Sequence, residues 1–436
     1  MDILKEKFAN KSGEVRSEVL SLLKKHGDLK LGDVTISQVF GGMRGIKGLI
    51  WDPSELDPEE GIRFRGYSIP YLREHLPRVH GGKEPLPEGL FWLMMTGDIP
   101  AKEEVDWLSG EWRKRAVVPE HTFRVLDALS ADTHPMTQFS AAILAMQSDS
   151  IFAARYAEGM SKNEYWDVMY EDAMNLIARL PIVAAYIYRR CFHDNHHIPA
   201  DPNLDWSGNF AHMLGINHPD FKSLMRLYMT IHADHEGGNA SAHTVHLVGS
   251  TLSDAYYSFS AGMNALAGPL HGLANQEVIK WIFEMVESLG TTKPDIDQIS
   301  QYIHDTLQAG KVIPGYGHAV LRIPDPRFTA QKIFAEQNID NDDYVKIVWQ
   351  LFDIVPGILQ GLGKVKNPWP NVDAHSGALL VHYGLKEYSY YTVLFGVSRA
   401  LGVMAGLCWA RAMGFPLERP KSLTTNWVKQ FISTHA

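Results

Sequence analysis

The chain is 436 residues long, with 45% hydrophobic and 21% charged residues. This ordinary globular mixture excludes a disordered or fibrous protein and leaves room for a sizeable buried core in two large domains or about three smaller ones. Its 41 basic and 50 acidic residues leave a net charge of −9, a balance that attracts no nucleic-acid backbone, so any anionic ligand must be caught by local basic clusters. Only Cys191 and Cys408 occur, without a CxxC pattern, which supports neither a disulfide framework nor a cysteine-based zinc site and suits a reducing compartment.

Taken in chain order, the opening Met1-Asp2-Ile3-Leu4-Lys5-Glu6-Lys7 mixes acids and bases and is neither a secretory signal nor a transit peptide. That leaves a cytosolic protein, or one whose presequence is absent from this chain. Asp33-Val34-Thr35-Ile36-Ser37-Gln38-Val39-Phe40 alternates, and the glycine-punctuated stretch from Gly41 to Gly48 follows it, predicting a short β-hairpin region. Helical periodicity marks Leu90 to Met95, Glu103 to Arg115, Tyr165 to Arg189, Phe221 to His232 and Gln276 to Leu289, and predicts an all-α protein with a minor β element near the N-terminus. From Ala255 to Gln276 there is no Asp, Glu, Lys or Arg, and small residues abound, a composition that suits close helix approach at a subunit or domain interface. Turn-forming residues place loops at Pro314 to Gly317, Gly361 to Lys364 and Asn367 to Asn371. Tyr391 to Ala410 is the most membrane-like stretch, but Arg399 lies inside it. A buried soluble helix is the better reading, with a guanidinium that needs a carboxylate partner from protein or substrate.

Several motifs fail. Gly363-Lys364 is followed by Val365 and has Ile358 where a P-loop needs its first glycine, no GxGxxG joins a strand to a helix, and Gly396-Val397-Ser398-Arg399-Ala400 lacks the final glycine of a nucleophile elbow. His232, His235, His243 and His246 cluster in one short segment. As two HxxH pairs they leave open metal ligation, buried structural histidines, or substrate-binding histidines, but HExxH is absent.

Three further segments hold a titratable group among turn-forming neighbours: Gly268-Pro269-Leu270-His271-Gly272, Pro314-Gly315-Tyr316-Gly317-His318-Ala319-Val320-Leu321-Arg322, and Pro370-Asn371-Val372-Asp373-Ala374-His375-Ser376-Gly377. With the histidine cluster, Arg399, and the stretches GIRFRGYSIP from Gly61, PLPEGLFW from Pro85, TIHADHEGGNASAHT from Thr230 and GFPLERPK from Gly414, the sequence strongly resembles the citrate synthase family over nearly its whole length, specifically the eukaryotic, mitochondrial-type branch.

The resemblance implies a two-domain helical homodimer, with residues 1–273 and 386–436 forming a large domain and residues 274–385 a lid-like one. It implies condensation of acetyl-CoA with oxaloacetate in the mitochondrial matrix, with no cofactor, metal or membrane. His271 is expected at the thioester carbonyl, Asp373 as the base and His318 at the ketone. His235, Arg327, Arg399 and Arg419 are expected to bind oxaloacetate, Arg419 from the partner subunit. Arg44, Lys162, Pro314, Gly315, Tyr316, Gly317, Arg322, Lys366 and Asn371 are expected near CoA. Relatives often carry arginine where this chain has Lys162. By composition alone Arg327 and Arg419 read as surface ion-pair arginines, and the resemblance reverses that. A carboxylate base needs a preorganised donor at the enolate oxygen, and planar guanidinium groups match carboxylates bidentately. A 2-methylcitrate synthase using propionyl-CoA and a filament-forming relative are the alternatives.

Overall fold

A computed structural model describes the chain except residues 1, 319, 364–366 and 436. The protein is 64% helix and 3% strand, as the periodicity predicts. The helix Tyr391–Met413 runs through the middle, every residue from Tyr391 to Ala412 buried. A helix apolar on all sides needs cover on all sides. The helices Ile3–His26, Pro87–Thr96, Tyr165–Phe192, Pro219–Ile231, Ala240–Ser250 and Ala255–Leu266 supply it. Though long and apolar enough to cross a membrane, the central helix is wholly buried inside the protein.

The predicted helices at 90–95, 103–115, 165–189, 221–232 and 276–289 lie within Pro87–Thr96, Lys102–Arg115, Tyr165–Phe192, Pro219–Ile231 (whose C-cap is His232) and Ala274–Leu289. The close approach expected of the charge-free segment is realised within the chain. A Cβ on Gly262 would fall 2.4 Å from Val245 Cγ2 of the preceding helix.

The β element is displaced from its predicted place. Residues 36–40 form a short helix, Ile36–Phe40, because Thr35 and Gln38 make a capping box. Val34, Ile36, Val39 and Phe40 are all exposed, so their alternation meets no core face that would favour a strand. The sheet lies downstream: β1 (Ser54–Asp57), β2 (Gly61–Phe64) and β3 (Tyr67–Ser68) pair antiparallel in that order, with Ser54 opposite Phe64 and Asp57 opposite Gly61. Asp57 Oδ1 accepts the Glu59 and Glu60 N–H groups at 2.8 and 2.9 Å to shape the first turn.

Beyond Leu273 the helices Ala274–Leu289, Pro326–Asn338 and Asp343–Gly361 all pack on Asp373–His382, while Ile296–Gln308 packs on Asp343–Gly361. This group also packs on the rest, Pro326–Asn338 against Ile69–His75 and Pro219–Ile231, and Ala274–Leu289 against the central helix. Arg322 N–H donates to Pro58 O at 2.9 Å, and a Cβ on Gly61 would lie 2.4 Å from Pro326 Cγ.

Tight and open glycines should respond oppositely to alanine. At Gly406 a Cβ would sit 2.2 Å from Trp51 Cη2, whereas at Gly110, inside Lys102–Arg115, nothing lies within 4 Å. Gly406→Ala should cost about 1–3 kcal/mol through overpacking, and Gly110→Ala should gain about 0.5–1 kcal/mol from helix propensity. Thermal melts of the two variants should therefore shift in opposite directions.

Candidate active site

The site forms where the central helix meets two loops. Arg399 is buried on that helix, and its guanidinium donates only to neutral acceptors among the described residues: Nε to His232 O at 3.3 Å, and Nη1 to Asn239 Oδ1 at 2.8 Å and Ser241 Oγ at 3.3 Å. Burial pulls its pKa down to about 10, with Asp234 and Asp373 near enough to oppose the fall and Arg327 near enough to add to it.

Arg327 is the second buried guanidinium. Asp325 caps the helix Pro326–Asn338 and grips Arg327 by two hydrogen bonds, Nη2 to Oδ2 at 2.7 Å and Nε to Oδ1 at 3.0 Å. Burial raises the Asp325 pKa, but the Arg327 charge and the hydrogen bonds from its side chain and backbone N–H together outweigh it, and the net shift is downward. The surface ion-pair reading of Arg327 is therefore wrong: its pair is internal.

Three half-buried imidazoles surround this pair of arginines. His271 Nε2 accepts the Ser241 N–H at 3.3 Å and lies 2.9 Å from Ser241 Oγ. A nitrogen that accepts a backbone N–H is unprotonated, so the neutral ring carries its proton on Nδ1. His318 is the opposite tautomer: its Nδ1 accepts the Val320 and Leu321 N–H groups at 3.0 and 3.1 Å, which leaves Nε2–H as a donor. Burial, then the nearby arginine charge, lowers both pKa values to about 4, with Arg399 acting on His271 and Arg327 on His318. His235 packs edge-on to His318 with ring centroids 5.3 Å apart, and its Nε2 is buried without a hydrogen-bond partner among the described residues. Burial and then Arg327 push its pKa well down.

Asp373 opens the helix Asp373–His382, and its N–H donates to Asn371 Oδ1 at 3.0 Å. Its Oδ1 is buried without a partner among the described residues. Burial lifts its pKa to about 6 against the pull of Arg327.

Two loops are stitched together to hold Asp373 and His318. Asn371 N–H donates to Gly315 O at 2.8 Å, Gly317 N–H to Trp369 O at 2.9 Å, and Asn371 Nδ2 to Gly317 O at 3.3 Å. Gly315 has φ 78°, and a Cβ there would lie 2.9 Å from Ala374 Cα, so glycine is required both by its conformation and by the close approach of the next helix. Pro314 and Tyr316 complete this loop.

Arg322 borders it, with Nη1 donating to Leu321 O at 2.8 Å, and its charge acts on His318. Arg44, Lys162 and Arg419 are exposed, and none has a side-chain ion pair or hydrogen bond to the other site residues among the described residues. Lys366 lies outside the described residues.

The histidine cluster divides. His232 is buried against Tyr228, whose carbonyl its Nδ1 contacts at 3.0 Å, and His243 Nε2 meets Glu418 at 2.8 Å. Among the described residues no three His, Cys, Asp or Glu side chains gather as a metal-holding group.

Asp325, Asn239 and Ser241 were not singled out from the sequence. Asp325-Pro326 and Asn239-Ala240 carry a usable signal, since each places a capping residue directly before a helix, Asp325 with proline at N1.

Two buried arginines, three neutral imidazoles and one readily protonated carboxylate, on a helical scaffold, suit an acyl-transferring enzyme that acts on a small carboxylate substrate. The comparisons agree. The family model for the citrate synthase C-terminal domain matches residues 42–421. Mitochondrial citrate synthases of Xiphias gladius and Kajikia audax are 57% and 56% identical over 424 residues, 97% of this chain and 90% of each relative. The chain belongs to the citrate synthase family. Its fold is similar to citrate synthase from Pyrobaculum aerophilum (27% identity, TM-score 0.74, 91% of this chain and 95% of that one). It is also similar to the Thermoplasma acidophilum enzyme in its ternary complex with carboxymethyl coenzyme A and oxaloacetate (23% identity, TM-score 0.74, 90% and 97%).

Asp325→Asn should leave Arg327 buried without its countercharge and cost about 3–5 kcal/mol. Because the folded-state pKa of Asp325 is depressed, the wild-type pair contributes stability above the ordinary carboxylate range and loses it only as pH falls below that range. Thermal melts of wild type and variant should therefore converge in acid.

Proposed function

We propose that the chain condenses acetyl-CoA with oxaloacetate and hydrolyses the resulting thioester to citrate and CoA. The observation that carries this reading is the pairing of Asp373, a buried carboxylate with a pKa of about 6, with two imidazoles held neutral and in opposite tautomers.

Asp373 removes a proton from the acetyl methyl. His271 Nδ1–H donates to the thioester oxygen as enolate charge develops, and His318 Nε2–H donates to the ketone oxygen of oxaloacetate and draws electron density from the carbon that the enolate attacks. Neutral donors suit both tasks, because an imidazolium beside Arg399 or Arg327 would raise the local charge at the wrong stage. Arg327, Arg399, His235 and the partner's Arg419 hold the two carboxylates of oxaloacetate. The loop from Pro314 to Gly317, with Asn371, Arg322, Lys366, Arg44 and Lys162, receives CoA. Residues 274–385 act as the lid, closing only once oxaloacetate is bound so that acyl-CoA is not hydrolysed unproductively. After condensation a water adds its hydroxyl to the thioester carbonyl carbon, the C–S bond breaks, and the water's other proton goes to the leaving CoA thiolate. Acetyl-CoA is a substrate, and no cofactor enters this scheme. The names of the relatives support a mitochondrial protein, which we place in the matrix.

A homodimer is supported by two apolar surfaces that the single chain leaves exposed. Leu20, Leu22, Leu23, Leu29, Leu31 and Phe40 line one, and Leu423, Trp427, Phe431 and Ile432 line the other, around a C-terminal helix, Thr425–His435, whose only buried residue is Val428.

Asp373→Asn should lower kcat at least about 100-fold while calorimetry shows oxaloacetate binding retained, since a general base supplies about 10²- to 10⁴-fold. In the wild type, kcat/KM should fall as pH drops through about 6, where Asp373 takes up its proton, and the residual activity of the variant should lack this limb. Relative kcat/KM for acetyl-CoA and propionyl-CoA tests the acyl donor, where one methylene is worth about 1–3 kcal/mol.

Joint refolding of Arg419→Ala with Asp373→Asn tests the shared site. Random pairing makes about half the dimers mixed, each with one intact site of two, so about a quarter of wild-type activity should return. If both residues served one chain's site, mixing would recover nothing beyond the parents.

A further inference from the structure

The segment Asp234 to Gly238, which carries His235, lies between the helices Pro219–Ile231 and Ala240–Ser250 and belongs to neither. Within it Glu236 has φ 60°, a left-handed value uncommon for a residue with a side chain, and such a backbone persists only when its surroundings hold it there. The restraint comes from far away in sequence. Ser54, the first residue of β1, uses its hydroxyl twice: Oγ accepts the Glu236 N–H at 2.9 Å and donates to Asp234 Oδ2 at 2.7 Å. Trp51 Nε1–H donates to the same Oδ2 at 2.7 Å. All the carboxylate hydrogen bonds that cross to this N-terminal segment thus meet on one oxygen, and Asp234 Oδ1 is buried without a partner among the described residues.

Two of these side chains, Trp51 and Asp234, also seat the segment on the central helix. The Trp51 indole fills the space beside two glycines: a Cβ on Gly237 would lie 2.8 Å from Trp51 Cβ, and one on Gly406 would lie 2.2 Å from Trp51 Cη2. Asp234 sits against Gly402, where a Cβ would be 2.4 Å from Asp234 Cβ, and Gly402 N–H donates to Ala233 O at 3.2 Å. Gly402 is nearly one turn along the helix from Arg399. The arrangement therefore ties the backbone that carries His235 to the helix that carries Arg399, with no side chain of the latch among the groups assigned to substrate.

We propose that Trp51, Ser54 and Asp234 are positioning residues for the dicarboxylate half of the site, holding His235 and Arg399 at the spacing that oxaloacetate requires. The inference rests on the oxaloacetate reading of those two residues given above. It assigns the N-terminal segment preceding the sheet a part in substrate affinity and none in the chemistry at the thioester.

Ser54→Ala removes the acceptor of the Glu236 N–H and one donor to Asp234. Trp51→Phe removes the other donor and keeps a ring in the slot. Each should weaken oxaloacetate binding, measured by calorimetry without acyl-CoA, by about tenfold or more, and should raise the KM for oxaloacetate in parallel. The KM for acetyl-CoA and kcat at saturation should stay within about twofold of wild type, the signature of lost uniform binding to one substrate. Ser54→Thr, which keeps the hydroxyl, should restore most of the affinity.

Unchanged oxaloacetate affinity in folded Ser54→Ala and Trp51→Phe would overturn the proposal. So would parallel losses in kcat and in both KM values, which a merely structural role produces. If Ser54→Ala fails to fold, Trp51→Phe decides the matter alone. The two readings fail separately: wild type that binds oxaloacetate but forms no citrate removes the condensation and leaves the latch testable by calorimetry, whereas active wild type with unaltered variants removes only the latch.

Discussion

The structure is organised around a guanidinium that has been taken out of water. Arg399 lies in a helix buried on every side, and burying a charge without compensation is among the costliest things a fold can do. The compensation is spread over a backbone carbonyl, an amide oxygen and a hydroxyl, all neutral, with the carboxylates of Asp234 and Asp373 close enough to act on it. Arg327 is treated differently, gripped by Asp325 alone. One arginine is thus neutralised locally by its own carboxylate, while the other keeps a positive field in the space where Asp373, His235 and His271 converge.

Burial comes first in setting the state of the surrounding groups, and the charges of both arginines act next, Arg327 on His235, His318 and Asp373 and Arg399 on His271. Imidazoles near buried arginines, themselves largely shielded from water, have every reason to remain neutral, and the hydrogen bonds from Ser241, Val320 and Leu321 then decide which nitrogen keeps the proton. Asp373 is pulled both ways: burial favours its protonated form and Arg327 its ionised form, and burial prevails by enough to bring the group to about 6. A carboxylate poised there is ionised at neutral pH yet accepts a proton more readily than an exposed aspartate, the compromise a general base needs.

Glycines bring the site's elements into close contact with one another and with the Trp51 indole. Gly315 lets one loop rest on the first turn of the Asp373–His382 helix, and Gly402 and Gly406 let the segment carrying His235 rest on the central helix. These glycines act at a distance from the chemistry by removing the space that would allow its groups to drift.

Much of this was legible in the sequence. Long helices announce themselves through local periodicity, whereas the carboxylate partner expected for the arginine inside the apolar run is replaced, among the described residues, by neutral acceptors. The turn-bound His271, His318 and Asp373 could be picked out because glycine, proline and asparagine neighbours constrain the backbone locally. The short strands could not be placed. The alternation at 33–40 is the local pattern of a strand, but a strand needs a pairing edge and a core face, and these exist only at 54–68, once distant segments have packed. For the same reason composition alone read Arg327 as a surface ion-pair arginine, and its buried partner Asp325 was not singled out. The union of Trp51 and Ser54 with Asp234, about 180 residues apart, left no local mark at all. The long helices were set by near neighbours along the chain, and the candidate site residues were marked by the motifs that carry the family resemblance. Tertiary structure alone decided proton positions, charge partners and relative aim, because those depend on burial and on groups that only folding brings together.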